Sequence, residues 1–282
     1  TGKFLLTASS DYSARLWTIP NLELKQIFLG HKDDVEMAIF LNSSGKIATA
    51  STDQIIRIFD LSGKCLKEIK GHKSSVKSIC FDPIDNTIVS SSNDCTIRKW
   101  CAKTGLQKNI YEIKNTDIDT FAMDKDSKIF VGDHTGTISW DHTDKLKCVD
   151  AHDSAIKKLI INKEKNELIS IGYDKKLKIW KIINDSLEQI KIIDLPEEVW
   201  PKNISSTSDS KLIFLTSFGH TFSTFDIDKN HWRKIKDNRT YGINSLLFYK
   251  NNLWSVGDSG IIEMNRHLFI DIHTLCNFLL PV

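Results

Sequence analysis

Ser90, His72 and Asp94 have the residue types of a hydrolase triad, in which a carboxylate orients a base and the base activates a hydroxyl. A catalytic set is normally singular. Here it recurs. His31, His72 and His152 each precede an aspartate by 22 positions, at Asp53, Asp94 and Asp174. An aromatic residue follows each aspartate after six more: Phe59, Trp100 and Trp180. Asp11 and Trp17 repeat the six-residue step near the start of the chain. Four residues before each of these aspartates stands a hydroxyl: Thr7, Thr49, Ser90 and Ser170. No oxyanion-loop motif accompanies any copy. The recurrence therefore points to a repeated hydrogen-bond network, and no residue is expected to be catalytic.

Other site chemistry is equally thin. His134, His142 and His220 lack zinc-ligand spacing with a third ligand. Cys65, Cys80, Cys95, Cys101, Cys148 and Cys276 form no CxxC pair and read as reduced thiols of a cytoplasmic or nuclear protein. The stretch GDHTGT lacks the Lys-Ser/Thr ending of a phosphate loop. Neither a cofactor nor a metal is expected, nor a small-molecule substrate.

The elements that position these residues follow from the repeat. The chain has 282 residues, of which 40 % are hydrophobic and 26 % charged, an ordinary balance for a globular protein. A net charge of +2 gives no general drive towards nucleic acid or anionic membrane. The opening TGKFLLTASSD has FLL as its apolar run, which is not the shape of a signal peptide. It starts without Met, which leaves room for the chain to be one end of a larger protein.

Three further stretches keep the rhythm but lose the polar set. KIFVGDHTGTISWD ends at Trp140-Asp141 with His134 in the aspartate place. LIFLTSFGHTFSTFD ends at Phe225-Asp226 with Gly219 there, and NLWSVGDSGIIEM keeps Asp258 but has Met264 in the Trp place. Each unit is made of short β-branched or aromatic runs broken by turn signals, with no sustained helical period. Seven units of about forty residues predict an all-β fold, a seven-bladed β-propeller of four-stranded antiparallel blades.

The pairs Gly30-His31, Gly71-His72 and Ala151-His152, with TASSDYSARLW and SSSNDCTIRKW, resemble the WD-repeat family. A terminal WD remnant stands at Phe59-Asp60, Trp140-Asp141 and Phe225-Asp226. The likeness is strong over 1–113 and 150–182, weaker over 114–149, and rests on periodicity beyond 185. It implies a buried tetrad in which Asp accepts from His, His pairs with Ser or Thr, and that hydroxyl meets the Trp indole. By position the tetrads are His72, Ser90, Asp94 and Trp100, and His152, Ser170, Asp174 and Trp180. His31, Thr49 and Asp53 form a set whose last link Phe59 cannot make.

Blades are expected at about 1–29 plus 274–281, 30–70, 71–113, 114–149, 150–194, 195–236 and 237–273, in a single domain. The chain starts on what reads as a second strand, so the C-terminal strand is expected to join the first blade and close the ring. His273 would then complete a tetrad with Thr7, Asp11 and Trp17. The distance from His273 across joined ends to Asp11 is 20 residues, against 22 within the intact repeats.

In the family, partners are met on a top face at three positions per blade: one just before the turn Asp, two others three and five residues after the His. By matching position these are Asp34, Glu36 and Thr52; Ser75, Lys77 and Asn93; and Ala155, Lys157 and Tyr173. A shifted alignment adds Asp117 and Asp133, and the sixth blade offers Trp200, Lys202 and Phe218. The expected function is a non-enzymatic scaffold or adaptor, a subunit of a larger assembly, recruiting a protein or peptide on that face. The competing reading is a propeller associated with nucleic acid or anionic lipid through the lysines at 157, 158, 163, 165, 175, 176, 178 and 181. It lacks the interleaved aromatics of single-strand binders.

Overall fold

A computed structural model describes residues 3–19, 21–41, 45–113, 116–142, 145–207, 209–217, 222–235, 243–249, 252–257 and 262–265. These residues hold strands and turns and no helix. The strands form seven antiparallel sheets in chain order, five with four strands and two, the first and the last, with three. No helix among them is long and apolar enough to cross a membrane.

Within a sheet the strands lie in sequence order. Burial falls across the sheet. In sheet three the second strand, Thr87–Ser92, is buried at every residue, whereas the fourth, Gln107–Glu112, is mostly exposed. A strand buried on both faces must be covered on both, and the covers are the neighbouring sheets. Ala48 and Ile58 of sheet two pack on Ile79, Ile88 and Trp100 of sheet three. Phe130 and Trp140 of sheet four pack on Leu168 and Trp180 of sheet five. Similar clusters join sheets one and two, three and four, and five and six.

The first strands of successive sheets lie side by side: Val35–Leu41, Val76–Asp82, Thr120–Met123, Ile156–Asn162, Pro201–Ser206 and Ile243–Tyr249. Sheet one begins on Phe4–Ala8, and this strand meets the first strand of sheet two as the second strands of other sheets meet theirs. Residues 274–281, which the sequence assigns to this sheet, lie outside the described residues.

Two local devices repeat. In sheets one to five a turn places one residue in the left-handed region: Tyr12, Gln54, Cys95, Gly136 and Lys175, at φ 69°, 72°, 62°, 90° and 60°. The residue before each is Asp11, Asp53, Asp94, Thr135 and Asp174, whose side chains can bond the turn backbone. Then, five first strands each carry one extra residue against their partner, a β-bulge at Glu36, Lys77, Lys157, Lys202 and Asn244.

Candidate functional site

Sheet three shows how the turn aspartate is used. Asp94 accepts from His72 Nδ1 at 2.9 Å, His72 Nε2 lies 2.7 Å from Ser90 Oγ, and Trp100 Nε1 donates to that oxygen at 2.8 Å. The same chain runs through Asp174, His152, Ser170 and Trp180, at 2.9, 2.8 and 2.9 Å. In sheet two His31 lies 2.9 Å from Asp53 and 2.7 Å from Thr49, and Phe59 has no N–H to extend it. In sheet one Trp17 donates to Thr7 at 3.0 Å. Asp11 instead holds Ser13 and Arg15. His273 lies outside the described residues.

In each of the three sets the second ring nitrogen is occupied by a buried hydroxyl, which in sheets three and five also serves an indole. A hydroxyl so engaged has no open approach for a carbonyl substrate, so this geometry fixes strands rather than attacks. The electrostatics agree. Burial opposes ionisation of Asp53, but bonds from Arg57, His31 and the Lys32 N–H outweigh it and hold the carboxyl at about 2. Asp94 is likewise held low, with burial opposed by His72, Thr96 and the Lys73 N–H. Burial pulls His31 and His152 below the ordinary imidazole value.

A basic residue four positions after each turn aspartate went unread in the sequence. Arg57 Nη1 reaches Asp53 at 2.6 Å and its Nη2 reaches Glu68 at 2.9 Å. Arg98 Nη2 lies 3.3 Å from Asp94, and Arg15 meets Asp11. Lys178, in the same place, donates to the Ala151 carbonyl. The signal was the repeated basic residue in SDYSARLW, NDCTIRKW and YDKKLKIW.

Sheet four corrects the alignment by one residue. Thr135 holds the place of the aspartate, since it precedes the left-handed Gly136. His134 therefore matches Thr52, Asn93 and Tyr173. Its N–H donates to the Asp117 carbonyl at 3.3 Å, as theirs donate to Asp34, Ser75 and Ala155 at 2.9, 3.1 and 3.0 Å. Asp133 is 4 % exposed and is no surface contact. Its carboxylate accepts the Thr135 N–H and hydroxyl and the Thr137 N–H at 2.8, 2.7 and 3.1 Å. Trp140 also departs from the repeat. Trp100 and Trp180 face the preceding sheet, whereas Trp140 packs on the following one and donates to the Asp185 carbonyl at 3.2 Å.

Four of the predicted contact positions, Glu36, Lys77, Lys157 and Lys202, are the bulge residues themselves. Glu36 accepts from Thr52 at 3.0 Å and from Lys77 at 2.6 Å, linking sheets two and three. Lys157 and His134 both reach Asp119, at 3.4 and 3.1 Å. Asp119 is the residue missed by the shifted alignment. Asp34, Asp117 and Asn93 are partly buried. Trp200 is 52 % exposed and meets the Tyr173 ring edge-on at 6.4 Å between centroids. The Lys175 amine lies 4.6 Å from the Trp200 ring centre and donates to the Glu197 carbonyl at 2.6 Å. Phe218 lies outside the described residues.

The blade-five lysines do not form one patch. Lys176 leans to Asp153 at 3.8 Å, Lys181 donates to the Lys165 carbonyl at 2.7 Å, and Lys157 is taken by Asp119. No group of three or more His, Cys, Asp or Glu able to hold a metal occurs among the described residues.

A family model described as "WD domain, G-beta repeat" matches residues 22–60 and 63–101. These two stretches match WD repeats. The first match begins before the last strand of sheet one, Leu24–Phe28, and ends with the third strand of sheet two, Ile56–Asp60. A WD repeat thus straddles two adjacent sheets. The chain is 28 % identical over 120 residues to the "Nuclear distribution protein nudF" of Aspergillus terreus, covering 35 % of this chain and 27 % of that protein. It is 31 % identical over 126 residues to "Nuclear distribution protein PAC1-2" of Uncinocarpus reesii, covering 37 % and 28 %. A "Ribosome biogenesis protein WDR12 homolog" of Oryza sativa subsp. japonica is 28 % identical over 193 residues, covering 64 % and 41 %. The match spans less than half the length of each of these curated relatives.

Proposed function

We propose that this WD-repeat chain is a non-enzymatic interaction module, a closed seven-bladed propeller that recruits a protein or peptide on its top face within a larger assembly. The observation that carries the reading is Trp200, half exposed beside Tyr173 and under Lys175. A large aromatic left in water beside a cation is the kind of anchor that interfaces use. The relatives' names point to two different processes, nuclear distribution and ribosome biogenesis, so neither is taken for this chain. The proposed setting is the cytoplasm or nucleus, where the described free cysteines would stay reduced. The Lys178 and Lys181 amines are turned to backbone carbonyls of the same sheet region, which disfavours a nucleic-acid or lipid surface there.

Trp200→Ala combined with Tyr173→Ala is expected to weaken partner binding by roughly tenfold or more. Quantitative affinity capture against wild type measures it. Unchanged capture would move the interface away from sheets five and six.

Closure belongs to the same proposal. Sheet one matches the second, third and fourth strands of its neighbours, as Trp17 to Thr7 matches Trp100 to Ser90. Residues 274–281 would supply its first strand, with His273 on Asp11. His273→Ala is then expected to cost about 1–3 kcal/mol, read by urea unfolding. A midpoint equal to wild type would remove the tail from the ring.

A further inference from the structure

Burial fades towards the outer edge of a sheet, yet the fourth strands carry half-buried lysines among exposed neighbours. Lys67, Lys147 and Lys191 pair with Ile58, Trp140 and Ile179. These partners stand five places after Asp53, Thr135 and Asp174, so the three lysines share one register place. Each reaches forward to the following sheet. Lys67 Nζ donates to the Lys103 and Thr104 carbonyls at 3.1 and 2.7 Å. Lys147 Nζ donates to the Asp185 carbonyl at 3.1 Å, and Lys191 Nζ to the Ile227 carbonyl at 3.2 Å. All these carbonyls lie in the turn between the third and fourth strands of the next sheet.

A nitrogen donor holds the same place in three other sheets. Gln26, Asn109 and Arg233 pair with Leu16, Lys99 and Thr224. Gln26 lies against the corresponding turn of sheet two, where a Cβ on Gly63 would stand 2.3 Å from its Nε2. Asn109 gives its amide to the Tyr111 hydroxyl of its own strand at 3.5 Å. The turn that Arg233 would face lies outside the described residues. The receiving turns are shaped for the incoming side chain. A Cβ on Gly105 would stand 2.7 Å from the Lys67 Cδ, and Gly63 and Gly105 have φ +90° and +78°.

A carbonyl in an outer turn has no ladder partner of its own. An ammonium carries three donors and no acceptor, so one lysine can hold two such carbonyls, as Lys67 does. Its stem lies along the rim while the charged end stays at the surface. Where little apolar area is buried, the bonds at an edge decide how readily it opens.

We propose that Gln26, Lys67, Lys147 and Lys191 form a one-way latch around the outer rim, in which the fourth strand of one sheet clasps the outer turn of the sheet that follows. Local opening of an outer turn is then governed by the preceding sheet. The latch uses none of the residues of the Trp200 surface and does not rest on the top-face reading.

Hydrogen exchange of the 282-residue chain, read by mass spectrometry, tests it. Lys67→Met keeps the stem and loses the donors. It is expected to speed exchange at least about tenfold over residues 101–106 of sheet three. There the Cys101 and Gly105 N–H groups donate to the Leu106 and Cys101 carbonyls at 2.9 and 2.7 Å. Residues 60–64, the corresponding turn of sheet two itself, are expected to exchange as in wild type. Lys67→Arg, which keeps charge and donors, is expected to retain protection. Lys191→Met is the second variant, read in sheet six at Ile227, whose N–H donates to the Lys211 carbonyl at 2.9 Å. Unchanged protection in the following sheet in both methionine variants overturns the proposal. So does a loss of protection that is equal in the variant's own sheet.

Discussion

An Asp94→Ala variant is expected to lose about 3–5 kcal/mol of stability. One carboxylate holds the whole turn. Its Oδ2 accepts from His72 and the Lys73 N–H at 2.9 Å each, and its Oδ1 from the Thr96 N–H and hydroxyl at 3.1 and 2.6 Å. The His72 side chain is 1 % exposed, so alanine leaves its ring nitrogen and the Arg98 guanidinium buried without their acceptor. Urea unfolding measures the loss, and a change below about 1 kcal/mol would remove the tetrad from the list of what holds the sheet. Asp11→Ala should cost less, because the Asp11 side chain is 46 % exposed. Acid acts in the same direction. Asp53 and Asp94 have folded values below the ordinary 3.8, so their contribution is complete above that pH and is lost as pH falls through the folded values. The lowered His31 and His152 add an earlier loss beginning near their ordinary 6.5, since the unfolded chain takes up those protons first. Melting temperature is therefore expected to fall in two stages on acidification, and Asp94→Ala should blunt the lower one.

Gly136→Ala is expected to cost about 2–6 kcal/mol, from backbone strain and overpacking together. Gly136 has φ +90°, and a Cβ there would stand 2.1 Å from the His152 carbonyl oxygen and 2.9 Å from that of Ser154. Both obstacles are backbone. Moving them would break the bonds from the Ala151 and His152 N–H groups to the Gly136 carbonyl, which join sheet four to the entry of sheet five. Gly45→Ala is the control: its φ is +66°, but its nearest neighbour is the Leu61 side chain at an ordinary 3.7 Å. Thermal unfolding of the two variants compares them. Equal losses would mean that the close approach at Gly136 is relieved by small shifts.

The histidine–aspartate stride was readable because it repeats. His and Asp lie far apart in the chain, yet the number of residues in two strands and their turn is constant, which fixes the offset that the His72–Asp94 contact requires. Sheet four was misread by one position. Its repeat has neither the tetrad His nor the turn Asp at their usual places, and the left-handed φ of Gly136 shows that Thr135, not His134, takes the turn. Trp140 misled for a similar reason. A Trp-Asp pair looks alike on either face of a strand, and a single step changes which neighbour the indole meets. Trp200 had two readings in the sequence, since a Trp before Pro is extended in a core strand and in a surface loop alike. Burial separates them, and burial depends on what the adjoining loops cover.

The extra residue in five of the first strands has a consequence for how such a surface changes over time. Glu36, Lys77, Lys157 and Lys202 stand outside the ladder of paired residues. Their side chains can be exchanged without shifting the register of any neighbour. Charge at the mouth of the molecule can therefore drift from acid to base between lineages, or be redesigned by an experimenter, while the architecture beneath stays as it is.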